Sequence, residues 1–495
     1  RSTLFPYTTL FRSIIDIYFA ITVGIGVWSS KRAKSSDSFH GSGLGVMMCV
    51  AAGTGEWLGG TSTTGVSQYG WGSGISGAWY TVGNASGVLV LAIFFARLYR
   101  SLDTVTVPGI MGHFLGNKAR TMASAMLIVV MICVGTSQII AAGSLGQSIL
   151  GISFVISVII LGICFIIYTI AGGMNAVGST NILHLVCMYG GAIIALVYLS
   201  KTFGGLDWLG DQLEKVNQAN GENINYFSLM QIGMPKVSSW MIAGVLGALT
   251  AQAGIQPVLA AKDEKTAVKS SFITALIVAP FGFFTVFMGM YSKVFFHTAD
   301  DLGGQTANAL PYLMMNKMSP IIGGIVLASI FAAILSTVSP IILAAGTMFT
   351  KDIYQKHLDK NASDKKILFV SRLSTALAGI LCMVLGISLA GTKVLDLVFL
   401  AYTFRGALFI VLLFGILWKK ASQRAALCSM TVTIIVGVIW KGYSVFKGPD
   451  PVTQTAQYPI ANWLTDTYAV VIATALAMFI FTLAFPRKAS DRIEG

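Results

Sequence analysis

Two charged residues lie inside long apolar stretches of the sequence, where they could bind a polar solute. Glu56 is followed directly by Trp57, and the face of an indole ring attracts cations. Arg405 lies close to Tyr402 in a second apolar stretch, and a guanidinium group binds carboxylates through two parallel hydrogen bonds. Burying such charges is costly unless they are paired, so both residues are candidates for solute recognition.

These residues leave several interpretations open. Glu56 and Trp57 favour a cationic amine or quaternary ammonium compound, because a carboxylate and an aromatic face both stabilise positive charge. Arg405 and Tyr402 favour a small carboxylate or an amino acid. In a third interpretation, Glu56 and Arg405 only neutralise each other, and neutral solutes such as sugars or urea form a further class. Of these possibilities, we favour a cationic solute.

The sequence offers no catalytic constellation. Its five histidines are scattered without the spacing of metal ligands, and it contains no Gly-x-x-x-x-Gly-Lys-Ser/Thr loop for nucleotide phosphates. We therefore expect neither an enzyme nor a primary pump, and we expect no cofactor and no metal bound by these histidines.

Composition places the chain in a lipid bilayer. Of its 495 residues, 55% are hydrophobic and only 11% are charged, and the mean hydropathy is +0.75. A soluble protein carries roughly 25% charged residues, whereas a polytopic membrane protein confines a few charges to its loops. The net charge of +13 is then a matter of membrane topology, and nucleic acid is not needed as a partner.

Apolar runs predict an all-α polytopic membrane protein with about thirteen transmembrane helices. Residues 1–13 resemble a translated cloning scar, and residues 14–28 form a leading transmembrane helix. We predict five further helices within residues 44–199, five within 240–418 and two within 425–485.

The distribution of Lys and Arg predicts the orientation. With the loop after the first span inside, 22 of them lie on the cytoplasmic side and 8 on the opposite side. We therefore expect an outside N-terminus and a cytoplasmic C-terminus in a plasma membrane, and the count suits a bacterial inner membrane. The sequence leaves the oligomeric state open.

Two of the predicted spans contain polar, glycine-rich stretches. One runs from Gly53 to Gly65 in the second span, and the other from Gly247 to Pro257 in the seventh span, where it includes Gln252 and Gln256. Irregular backbone is tolerated at membrane depth only where it is buried in protein or lines a cavity. Each stretch opens a set of five spans, which is the pattern of two inverted five-helix repeats with a binding site between broken first helices.

Three motifs resemble those of the sodium:solute symporter family. The first runs from Tyr168 to His184, with Gly172-Gly173 followed by Ala176-Val177 and Thr180-Asn181. The second is Gln256-Pro257-Val258-Leu259-Ala260-Ala261-Lys262, and the third is Ser336-Thr337, which precede Asp352-Ile353-Tyr354. Together with the number and orientation of the predicted spans, the resemblance covers nearly the whole chain from Ile14 onward.

The resemblance implies a sodium-coupled symporter that imports a small solute by alternating access, with sodium as the coupling ion. It implies a sodium site made by the hydroxyls of Ser336 and Thr337 and the carbonyls of Ala333, Ala51 and Thr54. Together with the residues above, the candidate solute site comprises Glu56, Trp57, Gln252, Gln256, Tyr402 and Arg405. Because neutral Asn181 stands where relatives that couple a second sodium have Asp, we expect one sodium per cycle. A non-transporting membrane sensor remains an alternative.

Overall fold

The protein is described by a computed structural model that covers residues 35–390, 394–448 and 457–487, together with isolated positions between 13 and 25. Within these residues all regular structure is helical, and the only β-type pairing is an isolated bridge between Leu44 and Ala261. The expected all-α class is therefore confirmed. Nearly all of the proposed scar at 1–13, and most of the leading helix at 14–28, lie outside the described residues.

The first half of the chain forms one short helix and then the predicted second to sixth spans. These helices are Ser36–His40, Val46–Trp57, the π-helical turn Thr61–Gly65, Val66–Ser73, the 3-10 turn Gly74–Ala78, Trp79–Val90, the π-helical turn Leu91–Phe95, Ala96–Ser101, Val107–Leu115, Asn117–Leu150 and Phe154–Thr202.

The second half begins with an amphipathic helix between spans and continues with the predicted seventh to thirteenth spans. These helices are Leu206–Asn220, Met234–Ala248, Gln252–Leu259, Glu264–Phe295, the 3-10 turns Asp300–Leu302 and Thr306–Asn308, Ala309–Lys317, Pro320–Met348 with its π-helical extension Phe349–Leu358, Asp364–Ser388, Val394–Leu417, Gln423–Lys447 and Asp466–Ala484.

Ten helical segments of the described residues are long and apolar enough to cross a membrane. The predicted count of thirteen is thus not confirmed, partly because broken spans leave pieces shorter than a bilayer. The helix Phe154–Thr202 shows the opposite effect, since its 49 residues would extend about 74 Å, far beyond a hydrocarbon core of about 30 Å. It combines the predicted fifth and sixth spans. These two spans meet at Gly173, where a φ of +56° interrupts the helical backbone.

The predicted ninth span, Pro320–Met348, lies at the centre of the bundle. Every residue from 326 to 348 is buried, and the helix packs against the second, fourth, fifth and sixth spans. Small residues permit this close approach, because a Cβ atom on Gly191 of the sixth span would lie 2.1 Å from the Ser329 hydroxyl. The ninth and sixth spans are therefore in close contact at this point. The division into two inverted repeats stays a prediction.

Candidate functional site

The second span is interrupted in the middle of the bundle, as its sequence predicts. Its first helical segment ends at Trp57, Leu58 to Gly60 are not helical, and a π-helical turn follows from Thr61. Glycine is required at this point, since a Cβ atom on Gly59 would lie 2.1 Å from the Thr337 hydroxyl oxygen. The interruption frees backbone carbonyls at the C-terminal end of the first helical segment, where no intrahelical donor reaches them.

The seventh span is interrupted as well. Its first helical segment ends at Ala248, and its second begins at Gln252. Between them, the Thr250 hydroxyl donates a hydrogen bond to the carbonyl of Arg405 across 2.6 Å. The eleventh span, Val394–Leu417, is thereby bound to this interruption.

Glu56 and Arg405 form a buried ion pair. Arg405 Nη1 lies 2.9 Å from Glu56 Oε1, and neither side chain has any exposed surface. The same guanidinium donates through Nε to the carbonyl of Gly247 across 3.2 Å. Of the interpretations left open by the sequence, the structure shows mutual neutralisation, and Arg405 also joins the two interrupted spans.

Aromatic rings surround the guanidinium. The Arg405 Cζ atom lies 5.3 Å from the ring centroid of Trp57 and 4.5 Å from that of Tyr402. The Tyr402 ring stacks on Tyr80, whose hydroxyl is 3.1 Å from that of Tyr402 and 2.8 Å from the Thr61 hydroxyl. The face of Trp57 therefore already has a cation beside it, supplied by the protein.

Several buried polar atoms at the second-span interruption have no hydrogen-bond partner among the described residues. They include Glu56 Oε2, Arg405 Nη2 and Gln138 Nε2. The other end of the Gln138 amide is used, because Gly60 N donates to its Oε1 across 2.7 Å. The ion pair thus retains one acceptor and one donor, which together suit a solute that carries both kinds of group.

Gln252 and Gln256 do not share this environment. The Gln252 amide accepts from Val107 N at 2.7 Å and donates to Val105 O at 3.1 Å. Gln256 Nε2 donates to the carbonyl of His40 across 3.0 Å. Both candidate solute ligands are therefore bonded to the backbone of neighbouring segments on the C-terminal side of the break.

The hydroxyls of Ser336 and Thr337 lie against the interruption of the second span. Thr337 Oγ1 is 2.5 Å from Gly55 O and 3.2 Å from Ala333 O. Ser336 Oγ is 2.8 Å from Ala333 O and 3.4 Å from Leu58 O. Three carbonyl oxygens and two hydroxyls thus gather between the ninth and second spans, which is an oxygen-rich set of the kind that binds alkali cations in transporters.

The carbonyls at this point lie one helical turn beyond those implied by the family resemblance. Thr54 O still accepts from Leu58 N at 3.0 Å, and Ala51 lies within the regular helix. Gly55 O is the first carbonyl that the end of the helix leaves without an intrahelical donor. The sequence signal for this shift is the Gly59-Gly60 pair, which marks where the helix stops.

Comparison with known proteins identifies the family. Residues 39–433 match the model of the sodium:solute symporter family. The chain belongs to this family. It is a sodium-coupled symporter of a small solute, a transporter rather than an enzyme, and sodium is its coupling ion.

Individual relatives and a solved structure agree with this assignment. The uncharacterized symporter YwcA of Bacillus subtilis (strain 168) is 26% identical over 87% of this chain and 84% of its own length. The sodium/glucose cotransporter of Vibrio parahaemolyticus is 24% identical over 94% and 90% of the two chains. The outward-open, substrate-bound structure of a Na⁺-coupled sialic acid symporter matches with a TM-score of 0.77, at 20% identity over 97% and 98%. This last likeness supports the fold of the symporter.

Proposed function

We propose that the solute carried by this symporter is small, has no net charge and offers both hydrogen-bond donors and acceptors. The observation behind this proposal is the Glu56–Arg405 pair, whose charges cancel and which retains one acceptor and one donor without a partner in the described residues. Polyols and sugars have this character, and so do zwitterionic amino acids. The relative from Vibrio parahaemolyticus is named for glucose, which is uncharged.

The charged solutes favoured or considered from the sequence fit this arrangement less well. A cation would meet a carboxylate already neutralised by Arg405 and an indole face already beside a guanidinium. A carboxylate would likewise compete with Glu56 for Arg405. Either ion would separate a fully buried pair and leave one charge uncompensated, which is costly in an interior. Within the solute site we therefore retain Glu56, Trp57, Tyr402 and Arg405.

We further propose that sodium is held by Ser336 Oγ, Thr337 Oγ1 and the carbonyls of Ala333, Gly55 and Leu58. The last two replace Ala51 and Thr54, because their oxygens are the ones that meet the hydroxyls. In this arrangement the hydroxyl hydrogens turn away from the carbonyls and the oxygens of both groups face the ion.

Residues that bind sodium and residues that bind the solute would then lie within one segment of four residues, from Gly55 to Leu58. Gly55 and Leu58 supply sodium ligands, and Glu56 and Trp57 lie between them and face Arg405. A cation that fixes the two carbonyls also fixes the backbone that carries the carboxylate and the indole. This continuity gives a physical reason for coupled binding, since neither site can move without the other.

The direct experiment is thermal unfolding of the purified protein with four panels of compounds, each in sodium chloride and in potassium chloride. The panels are polyols and sugars, zwitterionic amino acids, amines, and monocarboxylates. A ligand that binds the folded state raises the unfolding temperature. We expect sodium-dependent stabilisation in one of the first two panels, and its loss in Arg405→Gln. Stabilisation by amines alone or by monocarboxylates alone would overturn the proposal, and uptake of the hit into vesicles would exclude a sensor without transport.

The proposal also includes the orientation of the chain in the membrane. From the Lys and Arg distribution we propose a cytoplasmic C-terminus, an outside N-terminus and a bacterial inner membrane. A reporter fused after Phe485 tests the first of these: a fluorescent protein should be active there, and a phosphatase that requires export should be inactive.

A further inference from the structure

The inner half of the seventh span is bonded to two backbone segments through glutamines one helical turn apart. Gln252 makes a donor and an acceptor bond with residues 105 and 107, and Gln256 donates to the carbonyl of His40. Both glutamines are buried. Neither amide is directed at the Glu56–Arg405 pair, so these glutamines need an explanation other than solute binding.

Each of these backbone segments is also held by the inner end of the ninth span. The Thr106 hydroxyl donates to Asp352 Oδ1 across 2.9 Å, and Thr106 is flanked by the two residues that bond to Gln252. The His40 ring is bonded through Nδ1 to the Thr347 hydroxyl at 3.1 Å. Two separate routes therefore connect the ninth span with the inner half of the seventh span.

The connection at Asp352 is firmly built. Its side chain has no exposed surface, and Arg120 contacts Oδ1 through Nη2 at 2.5 Å and through Nε at 2.7 Å. Ser124 Oγ lies 3.4 Å from Oδ2. A carboxylate held by two guanidinium contacts and two hydroxyls has little freedom to move, so a displacement of the ninth span is transmitted to Thr106.

Both routes begin on the helix that carries the proposed sodium ligands. Ser336, Thr337 and Thr347 lie on Pro320–Met348, and Asp352 lies on its uninterrupted π-helical extension Phe349–Leu358. The helical backbone continues from Ser336 to Asp352, so the sodium site and the two anchor residues change position together.

Nearby backbone bonds close the inner ends of both interrupted spans. Leu44 N donates to Ala260 O at 2.8 Å, and Lys262 N donates to Leu44 O at 3.0 Å. Leu44 precedes the inner helix of the second span, and Ala260 follows that of the seventh. An inward opening has to break this pairing, and the seventh span can leave only if Gln252 and Gln256 also give up their bonds.

We propose that Gln252 and Gln256 are positioning residues that couple the sodium-bearing ninth span to the inner half of the seventh span. Sodium bound at the ninth span then keeps the inner side closed through the Thr106–Asp352 and His40–Thr347 contacts. This inference rests on the proposed sodium site, and it assigns the two glutamines to coupling in place of solute recognition.

Cys49 is a native reporter of this closure. It is buried near the inner end of the second span, and its thiol donates to the carbonyl of Pro257, on the inner half of the seventh span, across 3.2 Å. Departure of that half-span exposes the thiol. With the other five cysteines replaced by serine, the rate at which N-ethylmaleimide alkylates the full-length protein measures inward opening.

We expect sodium to slow this alkylation at least fivefold in the parent protein. In Gln252→Met and Gln256→Met, which keep side-chain volume and lose the hydrogen bonds, the sodium effect should fall below twofold. Sodium should still raise their unfolding temperature, which separates lost coupling from lost sodium binding. Gln68→Met is the matched control: this buried glutamine bonds to Thr306 on the outer side of the interruption, and its variant should keep the sodium effect.

The outcomes distinguish a failure of the coupling role from a failure of the proposed sodium site on which it rests. Full sodium protection of Cys49 in both methionine variants would overturn the coupling role. Full protection in Ser336→Ala and Thr337→Ala would instead overturn the sodium site. Should a methionine variant fold poorly, Gln252→Glu retains the acceptor for Val107 N and should regain part of the protection, and an absence of any regain in well-folded Gln252→Glu counts against the inference.

Discussion

Arg405 and Glu56 form a fully buried ion pair, 2.9 Å between Nη1 and Oε1, at the point where the second and seventh spans are both interrupted. The pair joins three elements, since Arg405 belongs to the eleventh span, Glu56 to the second, and Arg405 Nε also reaches Gly247 O of the seventh. The site is therefore assembled by tertiary contacts between helices that are distant in the sequence.

Removing one member of this pair should be more damaging than removing both. Glu56→Gln or Arg405→Gln leaves an uncompensated buried charge or unmatched polar groups, which we expect to cost about 3–5 kcal/mol of stability. The double variant should recover at least half of that loss. Thermal unfolding of the four proteins, analysed as a double-mutant cycle, measures the coupling. Additive effects would show that the two residues do not depend on each other.

The aromatic surroundings of Arg405 predict chemical rescue. Arg405→Ala leaves the Glu56 carboxylate and the rings of Trp57 and Tyr402 around the space of the missing guanidinium, a combination that binds planar cations. We expect millimolar methylguanidinium to raise the unfolding temperature of Arg405→Ala and to leave the parent unchanged. Arg405→Ala combined with Glu56→Gln is the matched control and should respond weakly. An equal response in the combined variant would mean that the carboxylate is not the anchor.

The Ser336 and Thr337 hydroxyls of the proposed sodium site lead to a prediction for the sodium affinity. Ser336→Ala and Thr337→Ala each remove one of five proposed oxygen ligands, and we expect the sodium concentration for half-maximal stabilisation to rise about tenfold, equivalent to about 1.4 kcal/mol. Thr337→Ser, which keeps the hydroxyl, should stay within threefold of the parent. Ser339→Ala is the control, since that hydroxyl bonds to Leu335 O in its own helix. Unchanged sodium titrations in both alanine variants would contradict the assignment.

Sequence patterns predicted the features that depend on local chemistry. The Gly53–Gly65 stretch located the interruption of the second span because glycines and hydroxyl residues weaken a helix wherever they cluster. The pairing of Glu56 with Arg405 stayed open, since the sequence alone does not give the distance in space between residues that are 349 positions apart in the chain. The same limit applies to Gln252, whose partners at 105 and 107 belong to a loop between other spans.

The side chain at Asn181 leads to a prediction for the number of sodium ions transported per cycle. Its Nδ2 donates to Ser336 O across 3.1 Å, so a neutral amide stands beside the proposed site and supplies no negative charge to offset a second cation. We expect one sodium per solute and a Hill coefficient near one, measured by sodium and solute tracer uptake in the same vesicles. Asn181→Asp supplies the missing charge and should tighten sodium binding. A ratio of two sodium ions in the parent would refute the argument.

The close contact between the second and ninth spans predicts a steric effect at Gly55. A Cβ atom there would lie 2.3 Å from Asn181 Nδ2 and 2.5 Å from the backbone oxygen of Ser336, and backbone of a buried helix cannot move aside. Gly55→Ala should therefore push the two spans apart, lower stability by about 1–3 kcal/mol and abolish sodium-dependent stabilisation. Gly72→Ala, in the C-terminal half of the same span, is the control because a Cβ atom there meets nothing within 4 Å. Both variants are compared by thermal unfolding with and without sodium, and a Gly55→Ala protein that keeps the sodium response would contradict the expected displacement of the two spans.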